Sequence, residues 1–222
     1  MGVLERLVDD AGLFPPSSLP MAEAVARHRA TSNPMLTGRF LVPGARLDEL
    51  SALLDGPLEV HIIGPGSTTD PRVRVVALEG VEAAPPSEVT CYVEGTPPDQ
   101  LAGAYGKVRC SGISDEALAS YVHDAVRTAT PFKATAGLHR AVRGWDGPGF
   151  HGYLNLLLAV ARALDGQDPL PAICEDDPEV LVRDLRALDP QQGQGVRALL
   201  HSYGSCDTTQ PYLDAQELGL VR

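Results

Sequence analysis

Four charged residues stand at the tails of short apolar segments that resemble β-strands. Lys133 lies in the run PFKATAG at positions 131–137, and Glu79, Glu94 and Arg109 end three other runs. A buried charge is tolerated in a protein interior only where it is paired or functional. Two acids and two bases placed in this way predict a catalytic site. Lys133 is the candidate nucleophile or general base, because desolvation and a neighbouring arginine favour the neutral amine.

The alternation of side chains along a strand decides which residues share a face with these charges. Thr135 shares a face with Lys133, and Lys107 shares a face with Arg109. In a barrel this face would be the inside, near the carboxyl-terminal rim where barrel active sites are built. We therefore expect Arg109, Lys107 and Thr135 to bind the substrate, while the two glutamates move protons.

Two aspartates lie next to each other in the first predicted strand. Adjacent strand residues point to opposite sides, so at most one of Asp9 and Asp10 faces the pocket. Asp10 is taken as the catalytic candidate.

Two histidines add candidates to the same site. His139 follows the Lys133 segment and is a candidate general acid–base. His151 begins an apolar helix, where it is a candidate for binding an anion. His61 lies in the middle of a strand and is expected to be a hydrogen-bonded core residue. The histidines form no HxH, HxxxH or HExxH motif, so no metal site is predicted.

Two glycine-bearing segments follow the seventh and eighth predicted strands, the region where barrels commonly bind phosphate. The first contains Gly137, and the second contains Ser202, Gly204 and Ser205. Backbone amides and serine hydroxyls in such segments can cradle an anion. Neither GxGxxG nor GxxxxGK[ST] occurs, so nucleotide sites of those types, and any cofactor, are not predicted.

Strand-like and helix-like segments alternate along the chain, which indicates a (β/α)8 barrel formed by a single domain over residues 1–222. The alternative is an open, partly mixed α/β sheet. The third to fifth strands are joined by links too short for good crossover helices, and Gly64-Pro65-Gly66 could turn a hairpin, so the middle units are expected to be degenerate. The predicted strands cover residues 7–14, 39–42, 60–63, 73–78, 89–93, 107–110, 132–135 and 199–203.

Two glycine-rich polar segments, Arg143 to Gly149 and Gln191 to Gly195, are predicted to be mobile surface loops. The first follows the Lys133 strand, where an active-site lid would be attached.

Composition and charge exclude several classes of protein. The formal net charge is −11 and the 18 basic residues are scattered, which argues against nucleic acid as a partner. The longest apolar runs fall short of a membrane span. The four cysteines form no CxxC pair, so a cytoplasmic location with reduced thiols is expected. The predicted partner is a small anionic carbonyl or phosphorylated substrate, and self-association into a homo-oligomer is left open.

The segment Phe132-Lys133-Ala134-Thr135-Ala136-Gly137 resembles the lysine strand of class I aldolases, notably the deoxyribose-phosphate aldolase family. That resemblance implies a barrel in which a lysine forms an imine with a sugar phosphate. It also implies a second, activating lysine, a role for which Lys107 or Arg109 is available. The whole chain is similar to a group of bacterial proteins that share DDAxLFPP and FKATAGLH, here residues 9–16 and 132–139, and this similarity implies no particular activity.

These observations predict a small lyase or aldolase-like enzyme that acts on an anionic carbonyl compound, with Lys133 forming an imine or polarising the carbonyl. One alternative is a metal-dependent hydrolase or cofactor-free isomerase that uses the carboxylates and histidines. Another is a non-catalytic binding protein with a degenerate barrel, in which Lys133 would pair with Glu94 or Glu79 and leave no cavity.

Overall fold

The computed structural model describes residues 2–80, 88–101 and 103–221. The strands are β1 (Val8–Asp10), β2 (Leu36–Pro43), β3 (Leu58–Ile63), β4 (Val73–Glu79), β5 (Thr90–Glu94), β6 (Tyr105–Arg109), β7 (Phe132–Thr135) and β8 (Leu200–Ser205). Each strand pairs in parallel with its neighbours in sequence, and β8 pairs with β1 to close the barrel. The predicted (β/α)8 barrel is confirmed, and the open mixed sheet is wrong.

The helices lie in the connections between the strands, except for the last helix, which follows β8. They are α1 (Met21–Ala30), α2 (Leu47–Ser51), α3 (Asp115–Arg127), α4 (Tyr153–Leu164), α5 (Leu170–Cys174), α6 (Pro178–Arg186), α7 (Pro190–Leu199) and α8 (Gln210–Glu217). No helix in the described part of the chain is long and apolar enough to cross a bilayer. The beginning of α3 follows from its sequence, because the Ser114 side chain accepts a hydrogen bond from the Ala117 N–H.

The hydrophobic core lies between the outer face of the barrel and the helices. Phe132 of β7 packs edge-to-face against Tyr121 of α3, with ring centroids 5.5 Å apart. Tyr203 of β8 stacks on Tyr153 of α4 at 5.4 Å. Because side chains alternate along a strand, burying Phe132 toward the helices turns Lys133 into the barrel. The apolar packing outside the barrel thus positions the charges inside it.

The link between β3 and β4 is reduced to a loop. Residues 64–72, all described, contain no helix, which agrees with the expected degenerate middle units. The hairpin expected at Gly64-Pro65-Gly66 is wrong, because β3 and β4 are parallel. The glycines serve close packing instead: a Cβ atom on Gly66 would lie 2.5 Å from the Cα of Gly44. The connection from β4 to β5 includes residues 81–87, which lie outside the described range.

The segment Gln191 to Gly195, predicted to be a mobile loop, is part of helix α7. Asp189 caps this helix by accepting hydrogen bonds from the Gln191 and Gln192 N–H groups. In return, the Gln192 side-chain oxygen accepts a hydrogen bond from the Asp189 N–H. Its other end is held by buried Val196 and Leu199. Capping and tertiary packing therefore override the low helix propensity of the two glycines. The loop Arg143 to Gly149 contains turns and no helix, as expected.

Gly66→Ala should destabilise the protein by about 1–3 kcal/mol, because the added methyl group must push the two loops apart. Gly56→Ala is the matched control, since a Cβ there meets no atom within 4 Å. Urea unfolding of both variants measures the difference. Equal stability of G66A and G56A would contradict the close packing of Gly66 on Gly44.

Candidate active site

A cavity of about 340 Å³ opens at the carboxyl ends of the barrel strands. It brings together eight of the residues predicted from the sequence: Glu79, Glu94, Lys107, Arg109, Lys133, Thr135, His139 and Gly204. A cavity of about 720 Å³ lies at the amino-terminal end of the barrel, but its described lining contains no lysine, histidine or cysteine. The smaller cavity is therefore the candidate active site.

Lys133 is fixed inside the barrel by a buried carboxylate. Its Nζ lies 2.8 Å from Oδ2 of Asp9, and the Lys133 side chain is only 1% exposed. The Ser202 hydroxyl donates to the same oxygen, and the Thr37 hydroxyl donates to the other, each at 2.8 Å. Burial raises the pKa of Asp9, but the charges of Lys133 and Arg39 outweigh burial and hold that pKa well below its usual value. Asp9 is therefore a fixed negative charge.

Lys107 forms a second cluster beside the first. Its Nζ contacts Oε1 of Glu79 and lies 2.6 Å from Oε2 of Glu94. The Lys107 and Glu79 side chains are each 8% exposed, whereas Glu94 is 40% exposed. The cluster thus runs from the barrel interior to the mouth of the cavity.

His61 connects the two lysine clusters. Its Nδ1 lies 3.2 Å from Nζ of Lys133, and its Nε2 lies 3.7 Å from Oε2 of Glu79. Burial and the nearby Lys133 charge lower the pKa of His61 well below the usual value, so the ring is neutral. If Lys133 donates to Nδ1, the ring proton is on Nε2 and faces Glu79. Neither Nε2 nor Oε2 has a hydrogen-bond partner among the described residues, and His61 was not predicted as a site residue.

Lys107 and Lys133 are the only lysines of the chain, which otherwise uses arginine for its basic residues. They are register partners on adjacent strands β6 and β7. Both are buried although lysine is among the residues least often found inside a protein. A count of residue types would have drawn attention to both positions, because the sequence contains only two lysines.

Arg109 supplies positive charge at the mouth of the cavity. It is exposed, lines the cavity, and forms no ion pair with any described residue. Thr135 and Gly204 face each other across the β7–β8 pair. Gly137 has a φ of +77° and follows Ala136, whose φ of +56° is unusual for a residue with a side chain. Ala136 lines the cavity, whereas Gly137 packs against the backbone of Ser111.

His139 makes contacts on both ring nitrogens. Its Nδ1 lies 2.9 Å from Oδ2 of Asp146, and its Nε2 lies 3.7 Å from Sγ of Cys206. The hydrogen bond to Cys206, together with Asp146, raises the pKa of His139 to about 9 despite partial burial. Burial alone would raise the pKa of Cys206, but hydrogen bonds from His139 and Ser17 lower it. Cys206 lines the cavity and was missed from the sequence, because nothing local marks it.

The prediction that Asp10 faces the cavity is wrong. Its carboxylate lies 2.6 Å from Nη2 of Arg27 and 3.0 Å from Nδ1 of His28, and it accepts from the Gly12 N–H. These contacts tie β1 to α1 on the outside of the barrel. Since side chains alternate along β1, Asp9 takes the inward position.

Besides Gly137, three further residues predicted to bind substrate do not line the cavity. Ser202 is buried against Asp9 beside Lys133, and Ser205 donates to the Asp207 carbonyl at 2.5 Å. His151 lies outside the barrel, with Nε2 3.3 Å from the Ile113 carbonyl. The hydroxyls of Ser202 and Ser205 are thus engaged with Asp9 and the Asp207 carbonyl, and of the predicted phosphate segment of β8 only Gly204 lines the cavity.

Asp9→Asn should destabilise the protein by about 3–5 kcal/mol, because it leaves the Lys133 ammonium buried without its carboxylate. The double variant Asp9→Leu with Lys133→Met should recover most of the loss, since an apolar pair needs no counter-charge. Urea unfolding measures both. D9N with wild-type stability would contradict the role assigned to the pair.

The imidazole of His139 should titrate near pH 9, and Asp146→Asn should move the midpoint downward. A raised pKa means that the folded state favours the charged ring. Its contribution to stability is complete below about pH 6.5, the ordinary pKa of histidine, and is lost as the pH rises through about 9. NMR titration of the His139 ring measures the midpoint, and a value at or below the ordinary one would contradict these contacts.

Among the described residues, no group of three or more His, Cys, Asp or Glu side chains is arranged to hold a metal ion. No protein-family model, curated protein or solved structure matches the chain. The candidate active site is accordingly described by its own side chains: two buried lysines held by carboxylates, a free arginine at the mouth, and a cysteine–histidine–aspartate contact.

Proposed function

We propose that the protein is a lysine-dependent enzyme of the lyase or aldolase type that acts on a small anionic carbonyl compound. One observation carries the proposal: the two lysines of the chain lie side by side on β6 and β7 and reach one cavity at the carboxyl end of the barrel. This end is where barrel enzymes place their catalytic groups. A cavity of about 340 Å³ is suited to a small compound.

Arg109 is the proposed binding group for the anionic end of the substrate. It is exposed at the cavity and has no carboxylate partner in the described part of the chain. A free guanidinium favours a carboxylate or phosphate, which it can bind through two parallel hydrogen bonds. The Thr135 hydroxyl, on the next strand, is available to orient the substrate.

Lys133 is the proposed nucleophile. In its neutral form Nζ would attack the carbonyl carbon, and loss of water from the resulting carbinolamine would leave an imine. The proton that Nζ gives up has a nearby acceptor in Nδ1 of His61, at 3.2 Å, while the Asp9 carboxylate keeps its negative charge. The imine then draws electrons from the substrate bond to be broken, as class I aldolase chemistry requires.

Lys107, Glu79 and Glu94 are the proposed proton carriers. Lys107 is the register partner of Lys133, and its ammonium is the proposed donor of a proton to the departing hydroxyl of the carbinolamine. Glu79 faces His61 at 3.7 Å, so a proton can pass between the two clusters through the ring. Glu94, the most exposed of the three, can exchange protons with solvent. His139 would assist from the rim.

A second candidate function is favoured by the ion pairs themselves. Both lysine ammonium groups are already held by carboxylates, as in a barrel whose charges only stabilise it. Such a protein would bind an anion at Arg109 without forming a covalent bond. The two candidates therefore differ in whether Lys133 reacts.

Sodium borohydride reduction in the presence of pyruvate, dihydroxyacetone phosphate or glyceraldehyde 3-phosphate should fix the carbon skeleton of at least one of them to Lys133. Peptide mass spectrometry assigns the position readily, because Lys107 is the only other lysine. Lys133→Arg is the control, since it keeps a cation beside Asp9 but removes the nucleophile.

Arg109→Gln should raise the concentration needed for half-maximal trapping about tenfold or more, as expected for the loss of a charged hydrogen bond. If both lysines stay unmodified with every compound of the panel, the imine proposal is contradicted and the non-covalent anion-binding function is favoured.

A further inference from the structure

Three side chains at the rim of the cavity form a chain of contacts, and only one of them, His139, has a supporting part in the proposed lysine chemistry. Cys206 follows β8, His139 follows β7, and Asp146 lies in the loop Arg143 to Gly149. The Sγ of Cys206 is 3.7 Å from Nε2 of His139, and Nδ1 of His139 is 2.9 Å from Oδ2 of Asp146. A thiol, an imidazole and an orienting acid in this order match the arrangement of nucleophile, base and third group in cysteine hydrolases.

The surroundings of Cys206 favour a reactive sulfur. After His139, hydrogen bonding from the side chain and backbone of Ser17 also lowers the pKa of Cys206. Arg27 donates to the Cys206 carbonyl at 3.0 Å, which adds positive charge nearby. Hydrogen-bond donors and cations stabilise a thiolate, which is the nucleophilic form of cysteine.

The other three cysteines lack this environment. Burial raises the pKa of Cys110 to about 12 and also raises the pKa of Cys91. Burial and then the nearby Asp115 carboxylate raise the pKa of Cys174, which is exposed. Cys174 therefore serves as an accessible but unactivated thiol in the same chain.

We propose that Cys206, His139 and Asp146 form a nucleophilic centre that accepts the acyl group of a small ester or thioester. The sulfur bonds to the acyl carbon, and the bond to the leaving alkoxide or thiolate breaks as His139 Nε2 gives that group its proton. Water then attacks the thioester and gives a proton to neutral His139. The products are a carboxylic acid, the free Cys206 thiolate and the His139 imidazolium, so the centre is restored.

The cavity also indicates the chemical class of the acyl compound. Arg109 and Lys107 line the same space as Cys206 and His139. These cations favour an acyl compound that carries a carboxylate or phosphate of its own. The reaction involves no lysine nitrogen, so this centre stands independently of the imine.

The test uses p-nitrophenyl acetate with the wild-type protein, followed by release of p-nitrophenolate and by peptide mass spectrometry. At neutral pH, Cys206 should be acetylated at least about tenfold faster than Cys174, since reactivity follows the thiolate fraction. Acetylation of Cys174 at the same rate as Cys206 would overturn the proposal without any variant being made.

Variants add a second criterion. His139→Gln should slow acetylation of Cys206 about 100-fold, the lower range for loss of a general acid–base. Cys174→Ser should leave the burst of p-nitrophenolate unchanged, and Cys206→Ser should abolish it. An unchanged rate in H139Q would contradict the assigned role of the imidazole. Because this adduct forms on cysteine and borohydride trapping modifies lysine, failure of one proposal is distinguishable from failure of the other.

Discussion

The ion pair between Asp9 and Lys133 is the contact on which the interior of this barrel depends. The two residues are 124 positions apart in the sequence, and the pair joins β1 to β7 across the inside of the closed sheet. Barrels of this type commonly fill that space with branched aliphatic side chains. Here Lys133 and Ser202 donate hydrogen bonds to Oδ2 of Asp9, and Thr37 donates one to Oδ1. Such complete pairing is what allows a charge to be buried.

Once Lys133 is placed inside, its neighbours must be polar as well. His61 remains neutral beside the lysine and faces Glu79, which in turn holds Lys107. The result is a continuous path of ionisable groups from the centre of the barrel to the exposed Glu94. Apolar side chains would fill the interior without the free-energy cost of removing charged groups from water. The proposed chemistry would account for such a network at the carboxyl end of the barrel, since shifted pKa values cluster at functional sites.

The sequence predicted the barrel and most of the cavity because both follow from local patterns. Strand alternation correctly put Lys133 with Thr135 and Lys107 with Arg109 on the inner face. The same rule could not decide between Asp9 and Asp10, because a three-residue strand contains no pattern that fixes its phase. Helix α7 escaped prediction because its glycines are compensated by a capping box and by tertiary packing. The contact between Cys206 and His139 spans 67 positions, and only the folded barrel brings the two together.

The cavity therefore combines an interior amine pair with a thiol–imidazole pair at the rim. Both pairs line the same cavity as the exposed Arg109. The two proposed chemistries would share one requirement, an anionic substrate small enough to enter the barrel mouth. They would differ in the atom that attacks, which is the Lys133 nitrogen inside the barrel and the Cys206 sulfur at the rim.

The central claim is that the two buried lysines are accessible to a ligand. NMR of the protein labelled with ¹⁵N at lysine Nζ tests it directly, because the chain can give only two side-chain signals. At least one small anionic carbonyl compound should shift both signals and carry that of Lys133 into the range of an imine. Two signals that stay unchanged through titration with every compound of such a panel would show that the lysines serve the fold alone.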